Sequence, residues 1–529
     1  VLRDIEGEKV LGQGILRWLL LAAGVLLSAA IGHAQIPPVK PAPLSSLPSS
    51  PHACAIEKSC ADVAPAMIRS AVGISPLEEN LRYLTDAIGG RLTGSPRANR
   101  AVRWSVEALR RSGVDEVHTE RFTVPVGWSE GQTHGNVLSP EPFRLRLVST
   151  GWSPPTPEGG ITADIVDVGP GDDAGFAKTG ASATGAILLV HTNVFLTVEN
   201  LSNESMVEPA IVDRAIKAGG AGIFWMSSQP NLLLYRHTLT LTGGLEPLPQ
   251  AIVAREDAAR IARFLASGQR VRVHFDMPNH VRGPVESENV VAEIRGREKA
   301  DEFVLLGAHL DSWELGTGAL DNGCNAAVVI DAARAIRATG AIPRRSIRFA
   351  LFTGEEQGML GSWAYARGHR AELDHMVAAI ILDEGTGHVT GYSLGGRSDI
   401  LAAVREALDP LQSLGVKEFT LHAEVRTDNL DFLLEGVPTL VGDQEPANYV
   451  VNDHAASDTF DKVDIAALKG NVAIASVTAY ALADGEQRIG PRQSRAEIEQ
   501  LIKDTRLDRQ MKREGFWPMW EKGDRGRLR

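Results

Sequence analysis

From residue 288 onward, short aliphatic and β-branched runs alternate with helix-length segments, and this alternation constrains the fold more than any other feature of the chain. The runs are NVVAEIRG, EFVLLGAH, IRFALFTG, MVAAIILDEG and PTLVGD, with helices expected at about 326–337 and 360–370. Strands this apolar are buried on both faces, the habit of parallel sheets covered by crossover helices. The fold class predicted is α/β: a mostly parallel mixed sheet with helices on both faces.

The rest of the chain divides around that block. At 529 residues it exceeds one ordinary core. Residues 151–285 change texture to ADIVDVG, GAILLVHT, GAGIFWMS, PQAIVARED and VRVHFDM, with one evident helix at 208–218. They read as a β-rich insertion between two parts of one domain, 68–150 and 286–485. Arg17 precedes the apolar run 18–30, and Gly32, His33 and Ala34 come before Gln35. Residues 1–34 therefore read as a secretory signal cleaved after Ala34, the run being shorter than the roughly 20 residues of a membrane span. A secreted or periplasmic location follows, with no stable membrane partner after cleavage. Residues 35–67 form a Pro/Ser-rich linker, and 486–529 a charged C-terminal tail, helical or loose.

Three cysteines, Cys54, Cys60 and Cys324, make neither a disulfide scaffold nor a thiolate zinc module. Cys54 and Cys60 are close enough in sequence to bridge, with two free thiols as the alternative. A formal charge of -12 opposes nucleic acid and anionic membranes as partners, leaving a small molecule or a peptide.

Three of the buried strands end in polar clusters: His309-Leu310-Asp311, Gly354-Glu355-Glu356 and Leu382-Asp383-Glu384. Ligand crevices in open α/β sheets lie beyond the carboxyl ends of strands. A fourth cluster, Asn452 to Thr459, follows the last strand, and Asp321-Asn322-Gly323 opens the helix after the first. Singly, each has a bland reading: a structural histidine, a solvated Glu pair, an N-cap. Jointly they offer a two-zinc hydrolase set. His309 and Asp383 serve one zinc, Glu356 and His454 the other, and Asp321 bridges. A metal-bridging hydroxide is the expected nucleophile. Glu355, beside a ligand in sequence and able to face the bridging water instead of the metal, is the expected general base. Asp311 is expected to accept the second imidazole N–H of His309. Gly391-Tyr392-Ser393-Leu394-Gly395 matches a serine-hydrolase elbow, but the loop-like residues before it make Ser393 a chance match.

HLDSW at 309–313, ALDNG at 319–323, TGEEQGMLGS at 353–362, LDEG at 382–385 and HAASDT at 454–459 resemble the co-catalytic dizinc metallopeptidase family. That family holds bacterial aminopeptidases, glutamate carboxypeptidase and carboxypeptidase Q. The step from His309 to Asp321, the Ser-Trp after His-Leu-Asp and the segment LTDAIGGRLTGSP at 84–96 resemble the carboxypeptidase Q branch most. The resemblance implies two zinc ions per chain and exopeptidase action on short peptides, dipeptides with free termini first, with an aminopeptidase for longer peptides as the alternative. It also implies that 151–285 is a protease-associated-like domain shaping substrate access. Tyr449 is the candidate for a carbonyl-polarising tyrosine. Relatives are often homodimers, and the apolar helix 472–482 suits core or interface, core being expected for most of it. Glutaminyl cyclase-like and non-catalytic receptor-like relatives stay open as alternatives, although no ligand is missing here.

Overall fold

The strand Lys299–His309 buries every residue from Phe303 to His309, and its side chains divide by parity between two cores. Val304, Leu306 and Ala308 face helices Cys60–Val72, Cys324–Arg337 and Ile465–Asp484. Phe303 and Leu305 face helices Leu360–Gly368 and Asn429–Leu434 through Tyr365 and Phe432. Period-two alternation with both faces apolar gives a sheet sandwiched between helices, as the sequence pattern requires. These features belong to a computed structural model that describes residues 60–238 and 241–528. The proposed leader and Cys54 lie outside the described residues.

This strand sits inside an eight-stranded mixed sheet. Arg345–Phe352, Met376–Ile381 and Thr439–Gln444 run parallel to it or to each other. The register sets His309 beside Phe352 and Gly307 beside Ile381, so the loops after three strands emerge at one edge. Glu116–Val124 and Val285–Ile294 add antiparallel strands on one flank. Val389–Ser393 pairs antiparallel with Thr439–Gln444 on the other and carries Glu418–Thr420 as the last strand. Helix Ile465–Asp484 is apolar all round because it is enclosed: residues 472–483 are all buried. The 472–482 segment is therefore core and offers no interface.

A second eight-stranded sheet has four parallel central strands: Ile161–Asp167, Ile187–Val190, Gly222–Met226 and Gln250–Val253. It too has two apolar faces, with helix Arg255–Ala266 on one and Val198–Lys217 on the other. Three of its strands, His134–Ser139, Phe143–Leu145 and Leu147–Ser149, precede residue 151. They are too short to show a period in sequence. Val450 and Ala455, from the loop carrying His454, complete one of its cores.

Residues beyond 485 are not loose. Helices Arg495–Asp504, Leu507–Arg513 and Trp517–Lys522 bury Ile498, Leu501, Ile502, Met511, Phe516 and Trp520 against Leu430, Leu433 and Leu434. Arg525 then closes the tail, donating to both oxygens of buried Asp431 at 2.7 Å.

Candidate metal centre

His309 ends its strand with Nε2 2.9 Å from Asp383 Oδ1 and 3.2 Å from Asp321 Oδ1. His454 places Nε2 2.9 Å from Asp321 Oδ2 and 3.1 Å from Glu356 Oε2. Two donor sets result, His309–Asp321–Asp383 and Asp321–Glu356–His454, each with its ligand atoms within 4.8 Å of one another. Asp321 gives one oxygen to each set.

The loop that delivers Asp321 is held from two sides. Beneath it, fully buried Arg91 donates to the carbonyls of Leu310 (2.6 Å), Thr317 (2.8 Å) and Gly318 (2.8 Å). Gly318 sits at φ 63° with Ser312 Oγ 2.2 Å from where a Cβ would lie, so the turn admits only glycine. Above it, Asp458 accepts the backbone N–H groups of Ala319 (2.9 Å), Leu320 (2.6 Å) and Asp321 (3.2 Å).

Asp311 links the His309 and Glu355 loops. Its carboxylate accepts from Thr93 Oγ1 at 2.7 Å and from the Glu355 N–H at 3.3 Å, and Thr93 Oγ1 accepts from Gly354 N–H at 3.0 Å. The expected acceptor role toward His309 falls instead to the Asp311 main-chain carbonyl, 3.0 Å from Nδ1. Its nearest carboxylate oxygen is 3.6 Å from Nδ1, because that group is already turned toward Thr93 and Glu355. Glu355 lines the same pocket as the ligands but belongs to neither donor set.

The electrostatics call for cations. Burial pushes Glu355 well above the ordinary carboxylate range and Glu356 up to about 8. Burial also raises Asp383. For His309 and His454 burial opposes the charge, yet the carboxylates around them outweigh it and hold both well above an ordinary imidazole. Burial works against ionised Asp321 as well, but the two imidazoles win and hold it far below its usual value. Oε1 of Glu356 is buried with no hydrogen-bond partner. Buried charges must be paired or must coordinate a metal, and imidazole nitrogens with carboxylate oxygens suit divalent first-row ions. The residues fit a pair of such cations.

Tyr449 lines the same pocket, and burial, with Asp321 nearby, raises its hydroxyl well above the usual phenol range, so it stays a proton donor. Ser393 does not line the pocket, and its hydroxyl donates to the His422 carbonyl at 2.6 Å. Cys324 is buried at a helix start with Sγ 3.2 Å from the Leu320 carbonyl, a packing position. Sequence reasoning assigned no role to Arg91, Thr93 or Asp458, although each lies inside a quoted motif. It also missed the pocket wall built by Glu208 and His237 from the second sheet's segment and by Arg426 and Glu514.

An α/β sheet whose strand ends carry two candidate cation sites sharing one carboxylate, with a further buried carboxylate beside them, has the layout of a metallohydrolase. Residues 289–479 match the profile of peptidase family M28. Carboxypeptidase Q of Bos taurus is 30% identical over 417 residues, 78% of this chain and 86% of that protein. Carboxypeptidase Q of Mus musculus is 29% identical over 433 residues, 81% of this chain and 90% of that protein. The structure of an M28 peptidase precursor from Shewanella amazonensis SB2B superimposes with a TM-score of 0.76 at 30% identity, covering 82% of this chain and 99% of the other. A zinc aminopeptidase from Bacillus subtilis shares the fold with a TM-score of 0.60 at 20% identity, over 79% and 97% of the two chains. The chain belongs to peptidase family M28 and is a metallopeptidase.

Proposed function

We propose that this chain is a two-zinc exopeptidase acting on short peptides, dipeptides with free termini above all, outside the cytoplasm. The observation that carries the reading is Asp321, whose two oxygens face separate donor sets inside a pocket that other parts of the chain also line. His309 and Asp383 would hold one zinc, Glu356 and His454 the other, with Asp321 between. When bound, the two ions supply Lewis-acid chemistry, polarising the scissile carbonyl and acidifying water. Glu355 would take the proton from the attacking water and return it to the leaving amine; its burial, which raises its pKa, suits both steps. Tyr449, in the same pocket lining, would donate to the oxygen on which charge develops.

The short-peptide preference is supported by enclosure. The Val198–Lys217 helix of the second module meets the C-terminal helix Leu507–Arg513, where Arg513 contacts Met206 Sδ at 3.8 Å. Glu208 and His237 on that side, paired at 3.0 Å, form part of the pocket wall. The relatives named carboxypeptidase Q support the same choice. Export is supported by the leader-like residues 1–34.

The test compares a free dipeptide with its N-acetylated and its C-amidated forms, together with metal analysis. Loss of cleavage on both modifications, with about two zinc ions per chain, is the expected result. Cleavage that survives amidation but not acetylation would replace the dipeptidase by an aminopeptidase.

A further inference from the structure

His454 differs from the other four candidate ligands in its backbone. It alone of the five has a positive φ, 54°, in the left-handed region that residues with a side chain seldom occupy. Such a conformation persists where the surroundings over-determine it. Here the grip comes from the second module. Arg236 N–H donates to the His454 carbonyl and Ala456 N–H to the Leu234 carbonyl, both at 3.0 Å, with Tyr235 paired to Ala455 between them. Earlier in the same loop, the Gln229 amide donates to the Val450 carbonyl at 2.9 Å. Trp313 packs edge-on against the His454 ring, with 6.1 Å between centroids.

The module segment is fixed in turn by one side chain. The fully buried Arg236 guanidinium donates from Nε to the Ser149 carbonyl at 2.9 Å. Its two terminal nitrogens pair with Glu130 and Glu314, and its face lies over the Trp128 ring, 5.4 Å from the centroid. Glu130 also accepts the Ser149 N–H at 2.8 Å, whereas Glu314 belongs to the loop between His309 and Asp321. A rigid planar fork holds acceptors in three directions at once, which the point charge of a lysine does not. With that fork locked, the backbone at 234–236 cannot withdraw from the His454 carbonyl. The Asp321 loop has its own supports in Arg91 and Asp458, so the effect of Arg236 should fall on the His454 side of the centre. We propose that Arg236 is a positioning residue for His454, which makes the inserted module a structural part of the metal centre. The assignment rests on the two-zinc reading above.

Stepwise zinc affinity is measured on the metal-free full chain by competition with a chelator, beside thermal unfolding of the same samples. Arg236→Gln should weaken one step by about 10- to 100-fold, the scale for groups that orient ligands, and leave the other within about twofold. Arg236→Lys should recover part of the loss. His454→Ala should lose the same step, and adding Arg236→Gln to it should cost nothing more, because residues that act through one contact are not additive. A wild type that binds only about one zinc ion overturns the two-zinc reading and this proposal with it. A wild type that binds about two, with both steps unchanged in Arg236→Gln, overturns the role of Arg236 alone. Equal weakening of both steps, or additive losses in the double variant, would mark a general structural role and also overturn it. Should Arg236→Gln fail to fold, Glu130→Gln takes its place. Removing one of the two carboxylate partners should weaken the same single step by a smaller factor, and unchanged steps refute the assignment.

Discussion

Asp458 touches no metal position, yet it should control both. One of its oxygens accepts from the N–H groups of Ala319 and Leu320, the other from that of Asp321. Asp458→Asn keeps the shape but replaces one oxygen by NH2. In one orientation of the amide the new donor faces the Asp321 N–H; in the other it faces both Ala319 and Leu320. Either way at least one buried N–H loses its acceptor and meets a donor. A hydrogen bond to a charged group contributes roughly 1.5–3 kcal/mol, a factor of about 10–150 in an equilibrium constant. The strain falls on the residue that gives one oxygen to each donor set. Both metal-binding steps should therefore weaken by about 10- to 100-fold, the usual scale for groups that orient ligands. The assay is competition with a chelator that resolves the two steps, with thermal unfolding of metal-free protein to separate local from global damage. As a contrast, Asp383→Ala should weaken one step far more than the other. If Asp458→Asn leaves both affinities within about twofold, or weakens only one, the carboxylate is not what holds the bridge in place.

Glu355→Gln should retain both metals while turnover drops by about 10²- to 10⁴-fold, since a base is lost but no ligand; Asp321→Ala should instead lose metal, and similar metal content in the two variants would refute the division of roles. A surface cluster sets a separate pH dependence. Donating hydrogen bonds to Glu120 raises His118 and His369, and although burial works against ionised Glu120, those two imidazoles bring it down to about 2. The histidine contribution to stability is complete below pH 6.5 and is lost as pH rises through the raised pKa values, whereas the Glu120 contribution holds above 4.5 and is lost as pH falls toward 2. The stability advantage of wild type over Glu120→Gln, measured by urea unfolding, should shrink as pH rises above 6.5, and an advantage independent of pH would exclude the coupling. Arg525→Ala leaves Asp431, 1% exposed, as an uncompensated buried charge; it should cost about 3–5 kcal/mol of unfolding free energy, and a loss below about 1 kcal/mol would mean that Asp431 is neutral.

The central sheet was legible because its strands are continuous apolar runs, and a run buried on both faces has few alternatives. The five candidate ligands, which the structure gathers into two donor sets, stood out because each follows such a strand or opens the next helix, so local spacing carries the information. Arg91, Arg426 and Glu514 were not legible for the opposite reason. Arg91 acts on carbonyls more than 200 residues away, and Arg426 meets Glu514 across a separation of 88. No local pattern marks such a pair. The C-terminal helices do space Ile498, Leu501 and Ile502 on one face, but the surrounding charge hides a face that narrow. Asp311 shows a finer limit: sequence placed the residue beside His309, and only geometry decides between its carbonyl and its carboxylate as the acceptor.

The second module is stitched to the metal loop by its backbone. Arg236 N–H donates to the His454 carbonyl at 3.0 Å, Ala456 N–H to the Leu234 carbonyl at 3.0 Å, and Tyr235 pairs with Ala455 between them. The Arg236 guanidinium is itself locked between Glu130 and Glu314. A hinge that swung the module aside would drag a ligand from its place. Any opening of the pocket that keeps the centre intact must therefore leave this contact in place. The same coupling restricts how the chain can diverge. Length changes on the far edge of the module leave the centre untouched, whereas an insertion within 234–237 would be read out as lost metal.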